Sequence, residues 1–186
     1  MLTLTQQSFA GHQSLPSYPP VSLSEFQGQN ISHLLNLYEI ESTQPRGINY
    51  HTAGLQNNKP LTVVNRDTGQ YIGIINLHND TGQSDWAIDV HGTVIDNITA
   101  SLFTGGATQQ KSHSYGKQSV LPMSNALFFE IPPGEMAKLV IEVRSDVFFS
   151  EPRLSVTPSL DYQTQAQLSY AIVLAAFGAL FALSIY

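Results

Sequence analysis

From residue 70 onward, short apolar runs alternate with turn sequences. Tyr71 to Leu77 (YIGIINL) is an apolar run bounded by Thr68-Gly69 and by Asn79-Asp80-Thr81-Gly82. Trp86 to Val90 places Trp86, Ile88 and Val90 on the opposite strand face from Asp89. Asn97 to Phe103 places Ile98, Ala100 and Leu102 on one face, and Gly105-Gly106 breaks the run. Ala126 to Ile131 ends at Pro132-Pro133-Gly134-Glu135, a tight-turn sequence. Lys138 to Val143 alternates cleanly, with Leu139, Ile141 and Val143 inward and Lys138 and Glu142 outward. Arg153 to Thr157 is a last short strand before Pro158. Short strands at regular spacing, with Gly and Pro turns and no amphipathic helix between them, predict an all-β antiparallel sandwich or barrel. A parallel α/β sheet needs helical crossovers, and the spacing leaves no room for them.

The two ends differ from this middle. Residues 1–30 are rich in Ser, Gln, Pro and Tyr and read as an extended lead-in. Ile31 to Ile40 (ISHLLNLYEI) is a short apolar patch, a strand or one or two helical turns with strand preferred, and residues 41–60 are turn-rich. Leu168 to Tyr186 (LSYAIVLAAFGALFALSIY) contains no charge. As a helix rising about 1.5 Å per residue, it approaches the roughly 30 Å of a bilayer core. A core helix usually keeps a polar stripe, and this one has none, so a membrane-crossing helix is the preferred reading. The expected organisation is a lead-in at 1–30, a β-sandwich at 31–160, and a linker with a transmembrane helix at 161–186. The apolar run is either a tail anchor or the first helix of a truncated receptor.

Charge narrows the partners. The chain has 14 Asp and Glu against 8 Lys and Arg, and all the basic residues lie scattered between Arg46 and Arg153. A nucleic-acid surface needs clustered positive charge, so no nucleic-acid partner is expected. With no cysteine, thiol catalysis, disulfides and thiolate metal sites are excluded. The N-terminus has no basic n-region or apolar h-region of a signal peptide. If the domain is exported, its signal lies elsewhere or the last helix directs insertion.

One stretch carries a family resemblance. Ile131-Pro132-Pro133-Gly134-Glu135, followed by Leu139-Val140-Ile141-Glu142-Val143-Arg144-Ser145 and then an apolar helix, resembles the C-terminal half of one receptor domain. This is the extracellular type 2 sensor domain of bacterial seven-transmembrane receptors with diverse intracellular signalling modules. The N-terminal half matches only in order, with Tyr71 to Asn79 where the family has a strand containing Trp and Arg. The resemblance implies a periplasmic jelly roll attached to the inner membrane. It also implies a carbohydrate-like or other small-molecule ligand, and relay to a diguanylate cyclase or histidine kinase. A homodimer is compatible with it.

Candidate chemistry is sparse. The six histidines, His12, His33, His51, His78, His91 and His113, show no ligand spacing, so no metal is expected. The loop Asn79 to Asp85 offers oxygen donors around Gly82, but it lacks the spaced acids of a calcium loop and reads as a hairpin turn. The sequons at Asn30, Asn79 and Asn97 are frequent by chance in such a composition. No nucleophile elbow, phosphate loop or cofactor motif is present, so neither enzyme activity nor a cofactor is expected. A jelly-roll glycosidase would need two carboxylates about 5–9.5 Å apart in a cleft, and Asp85, Asp89, Asp96 and Glu130 are the candidates. The ligand-contact candidates are Trp86, His91, His113, Tyr115, Lys117 and Arg144. Trp86 offers a stacking ring but reads more naturally as core. His113, Tyr115 and Lys117 sit in a polar stretch, Thr108 to Ser119, read as a long loop over the sandwich. Arg144 ends the strongest strand and is suited to an anionic ligand. The rival to a sensor is a tail-anchored sandwich docking another envelope protein, which an exposed apolar face would favour.

Overall fold

The computed structural model of the chain describes residues 19–39, 69–91, 95–105, 107–114, 126–145 and 153–185. The strands are β1 (Val21–Ser22), β2 (Asn36–Glu39), β3 (Gly69–His78), β4 (Asp85–His91), β5 (Asn97–Phe103), β6 (Thr108–Ser114), β7 (Leu127–Glu130), β8 (Met136–Ser145) and β9 (Arg153–Pro158). One turn of helix, α1 (Leu23–Phe26), follows β1, a 3₁₀ turn spans Ser32–Leu34, and a long helix, α2 (Ser159–Ile185), follows β9.

Two sheets form. The larger runs β1-β3-β8-β5-β6, with β2 also pairing with β3, and the smaller runs β7-β4-β9. All pairings are antiparallel except the two-residue contact of β1 with β3. From β3 to β9 the chain changes sheet at every connection except the β5–β6 hairpin, which is the wrapping of a jelly roll. The fold is therefore the all-β antiparallel sandwich that the strand spacing predicted, followed by an apolar helix.

Alternation fixes which face each strand turns inward. Ile98, Ala100 and Leu102 from β5 meet Ala137, Leu139, Ile141 and Val143 from β8 on the inner face of the larger sheet. Trp86, Ile88 and Val90 from β4, with Leu154 and Val156 from β9, supply the facing layer. β3 is apolar on both faces because both are covered. Tyr71, Ile75 and Leu77 face the main core, while Ile72 and Ile74 join Tyr38 and Val140 in a second buried cluster on the sheet's outer side. Gly73 lies opposite Leu37 in register, and a β-carbon there would collide with the Leu35 side chain.

Four expectations need correction. Part of the lead-in is structured: Val21 and Leu23 are buried, and residues 21–32 run from the edge of β3 to the edge of β9. The patch at 31–40 splits into the 3₁₀ turn and β2. Asn79 to Ser84 is an inter-sheet corner, not a hairpin, because β3 and β4 belong to different sheets. Thr108 to Ser114, expected as loop, is the edge strand β6. Its polar sequence hides the strand because an edge position keeps Thr108, Gln110, Lys111 and Ser112 in water.

Asn79 holds the corner. It is fully buried, and its amide nitrogen donates to the carbonyls of Gln83 and Ile131, both at 2.6 Å. Its side-chain oxygen accepts from Thr81 N (3.1 Å) and Thr81 Oγ1 (2.7 Å). Its backbone pairs with the Pro132–Glu135 turn through Glu135 O and Gly134 N. Gly134 there has φ +79, a left-handed conformation that only glycine adopts without strain. The burial leaves the Asn79 sequon inaccessible to a glycan.

Candidate functional site

Two regions are candidates for function. The first is the joint between the sandwich and α2. Leu154 to Val156 of β9 are held from both sides. On one side β4 pairs from Trp86↔Pro158 to His91↔Arg153. On the other, Gly28 N donates to Val156 O (2.9 Å), Ile31 N donates to Leu154 O (2.8 Å), and Ser32 Oγ accepts from Leu154 N (2.7 Å). Residues 21–32 thus form a strap across the open side of the sandwich. The strap is fastened at its start by Asp80, whose carboxylate accepts from Ser22 Oγ (2.6 Å), Ser24 N (2.9 Å) and Ser24 Oγ (2.6 Å). Those donors, the Ser22 and Ser24 hydroxyls first, hold the Asp80 carboxyl well below the usual carboxylate range.

α2 begins at Ser159, directly after Pro158, so the expected linker is itself helical. Its first turns dock on the outer face of the smaller sheet. Tyr162 Oη donates to Asp89 Oδ2 (3.1 Å), and the Tyr162 ring meets Phe128 edge-on at 6.2 Å. Gln27 Nε2 of the strap donates to Asp161 Oδ2 (3.2 Å). Asp161 also suits the positive end of the helix dipole. Beyond this, α2 buries nothing: Ile172, Leu174, Phe177, Leu180 and Leu183 are exposed and distributed around the helix. The helix is long and apolar enough to cross a membrane, and none of its apolar window is buried against the described residues.

The second region is a polar row on the outer face of the larger sheet. Arg144 of β8 stands between Gln70 of β3 and Asn97 of β5 in register. The next row on that face is Thr99, Glu142 and Ile72. Gln70 Nε2 donates to Glu142 Oε1, and Thr99 Oγ1 donates to Asn97 Oδ1 (3.3 Å). Arg144 is exposed.

The sequence-derived candidates do not converge. Trp86 is fully buried in the core and presents no ring to a ligand. Its indole nitrogen has no hydrogen-bond partner among the described residues. His91 ends β4 opposite Arg153, and His113 of β6 is opposite Ile98; the side chains of both lie outside the described residues. Tyr115 and Lys117 lie outside them altogether. Of the candidates whose side chains are described, Trp86 and Arg144, only Arg144 lies on an open surface. Its partners Gln70 and Asn97 were missed, because cross-strand neighbours come from register and not from sequence spacing. The Tyr162–Asp89 pair was missed for the same reason.

Of the carboxylates considered for glycoside hydrolysis, Asp85 and Glu130 are direct cross-strand partners, both exposed on the outer side of the smaller sheet. Asp89 is engaged with Tyr162 instead. Among the described residues no group of three or more His, Asp or Glu side chains is placed to hold a metal.

No family model matches the chain, and no curated protein is significantly similar to it. Among solved structures, it is similar to one described as concerning promiscuous carbohydrate-binding modules of the β-sandwich superfamily, at 10% identity and a TM-score of 0.31. The match covers 50% of this chain and 42% of that one. At that score the likeness carries no argument about ligand or residues.

Proposed function

We propose that this chain is the extracytoplasmic ligand-sensing part of a bacterial membrane receptor. The sandwich would lie in the periplasm and α2 would cross the inner membrane. The bound ligand, a carbohydrate or another small molecule, would bias a cytoplasmic output, a diguanylate cyclase or histidine kinase in the family the sequence resembles. One observation carries the reading: β9 passes without a break into a helix apolar on every side, and Tyr162 and Asp161 tie its first turns to the sandwich and strap. A simple anchor needs no such docking. A signal, in contrast, needs a joint stiff enough to carry a change in the sheet into the helix.

The rival is a tail-anchored sandwich that docks another envelope protein. It calls for an exposed apolar face on the sandwich. Outside α2, Met136 is the one large hydrophobic residue exposed among the described residues. This favours the sensor.

The test has two arms. Expressed in a Gram-negative bacterium behind an export signal, the full chain should remain in the inner membrane after carbonate extraction. Protease added to spheroplasts should cut the sandwich. A sandwich protected inside the cell would sink the topology. The detergent-solubilised chain is then melted against sugars, amino acids and nucleosides. A ligand at a hundred times its dissociation constant stabilises by about 2.7 kcal/mol. A cooperative melt with no shift across the panel would move the assignment to protein docking.

A further inference from the structure

We propose that the Asn97–Arg144–Gln70 row is a ligand subsite for an acidic sugar, a pyranose bearing a carboxylate. This rests on the sensor reading above and names the substrate class of its binding surface. The argument begins with an unengaged cation. Arg144 is exposed, and among the described residues no hydrogen bond or ion pair reaches its guanidinium. A carboxylate is close by, since Glu142 points to the same face two residues earlier on β8, about 7 Å along the strand. Yet Glu142 is held by Gln70 from the neighbouring strand. The register thus supplies Glu142 with an amide partner and leaves the guanidinium fork open to solvent.

The flanking residues decide the kind of anion. On both sides the neighbours of Arg144 are amides, Gln70 and Asn97, and neither is a competing acid. Thr99 and Glu142 follow in the next row. Three adjacent strands span about 10 Å, so the patch is about 10 by 7 Å on a sheet face. A guanidinium fork matches a carboxylate bidentately. With Gln70 Nε2 and the Thr99 hydroxyl already donating within the patch, the oxygens of Gln70, Thr99 and Glu142 supply acceptors for a ring of hydroxyls. A bare inorganic anion would use the arginine and leave the acceptors idle. A neutral sugar would leave the arginine idle. A carboxylated pyranose uses both.

The test is calorimetric titration of the full chain in a sugar-free detergent with three probes: trigalacturonate, its methyl ester, and galactotriose. Trigalacturonate should bind saturably, and esterification should weaken binding at least tenfold. Arg144→Gln should cause a similar loss with an unchanged melting temperature, because the side chain is exposed. Arg144→Lys should recover part of it, and Asn97→Ala should weaken binding less. No binding of trigalacturonate by the wild type, or equal binding by Arg144→Gln, overturns the subsite. If galactotriose binds the wild type as tightly as trigalacturonate, and Arg144→Gln weakens neither, the subsite fails and the sensor reading stands. Failure of the sensor reading is seen separately, in the topology and panel experiments.

Discussion

Replacing Tyr162 tests whether the helix is carried by the sandwich or merely follows it. The hydroxyl donates to the Asp89 carboxylate, which is 9% exposed. A hydrogen bond to a charged group contributes about 1.5–3 kcal/mol. The edge-on contact with Phe128 adds about 0.5–1.5 kcal/mol beyond its area. Tyr162→Ala should therefore release about 2–4 kcal/mol of docking energy, and Tyr162→Phe only the hydrogen-bond share. The assay is hydrogen exchange of the chain in lipid nanodiscs, read at the amides of Gln163 to Gln167, which have acceptors one turn back in α2. At about 1.4 kcal/mol per tenfold, Tyr162→Ala should speed their exchange by at least about 30-fold, with β3 and β8 unchanged. A double-mutant cycle of Tyr162→Phe with Asp89→Ala should show positive coupling between the two. If exchange in Gln163 to Gln167 rises less than threefold in Tyr162→Ala, the docking holds nothing and the coupling argument fails.

Three further outcomes follow from the same geometry. Trp86→Ala should cost about 3–5 kcal/mol in a denaturant melt, because the ring is fully buried between the sheets; a loss below about 1 kcal/mol would mean the site collapses or was never packed. Glu130→Lys should stabilise by up to about 1 kcal/mol, since Glu130 faces Asp85 directly across β7 and β4 and the change turns repulsion into attraction; high salt should erase the gain. The folded-state pKa of Asp80 is depressed, so its contribution is present above the unfolded value of about 3.9 and declines as pH falls below it. The stability difference between wild type and Asp80→Asn should accordingly be steady from pH 7 to 5 and shrink below about pH 4; a difference independent of pH would show that the carboxylate's charge does not fasten the strap.

Most β strands from 69 onward were legible because inward and outward positions alternate in β5 and β8, and because the middle of β3, Tyr71 to Ile75, is an apolar run. β6 was not legible. A period-two signal requires apolar residues on one face, and the sequence of β6, TQQKSHS, has no apolar position to give it. The strap was missed because its contacts are long-range: Ser22 and Ser24 find Asp80, and Ser32 finds Leu154. Nothing in Ser- and Pro-rich composition distinguishes a segment that docks from one that does not. For the site, an exposed arginine at a strand end was readable. That it would stand between Gln70 and Asn97, with Glu142 already engaged, depends on the register of three strands that the sequence does not display.

Under the receptor role, the way in which a signal could travel is narrowed by how β9 is held. A sliding strand would be the simplest route, since β9 runs straight into α2. But β9 pairs with β4 over six residues and with the strap through Gly28, Ile31 and Ser32. A one-residue slip would turn Leu154 and Val156 out of the core and Ser155 and Thr157 into it. That would replace Leu154 and Val156 by two hydroxyls at the apolar core face and break the pairings with β4 and the strap, a cost no modest ligand affinity offsets. Motion must therefore pass through units that keep their pairing. The smaller sheet tilting as a body, with Tyr162 and Phe128 riding on it, is one such unit. The strap is the other, since it touches the helix at Asp161 and is fastened outside the sheets by Asp80. Tyr162→Ala disconnects the first and leaves the second intact, whereas Asp80→Asn loosens the second and leaves the first. The two variants, compared in a ligand-response assay, therefore separate a sheet-borne signal from a strap-borne one.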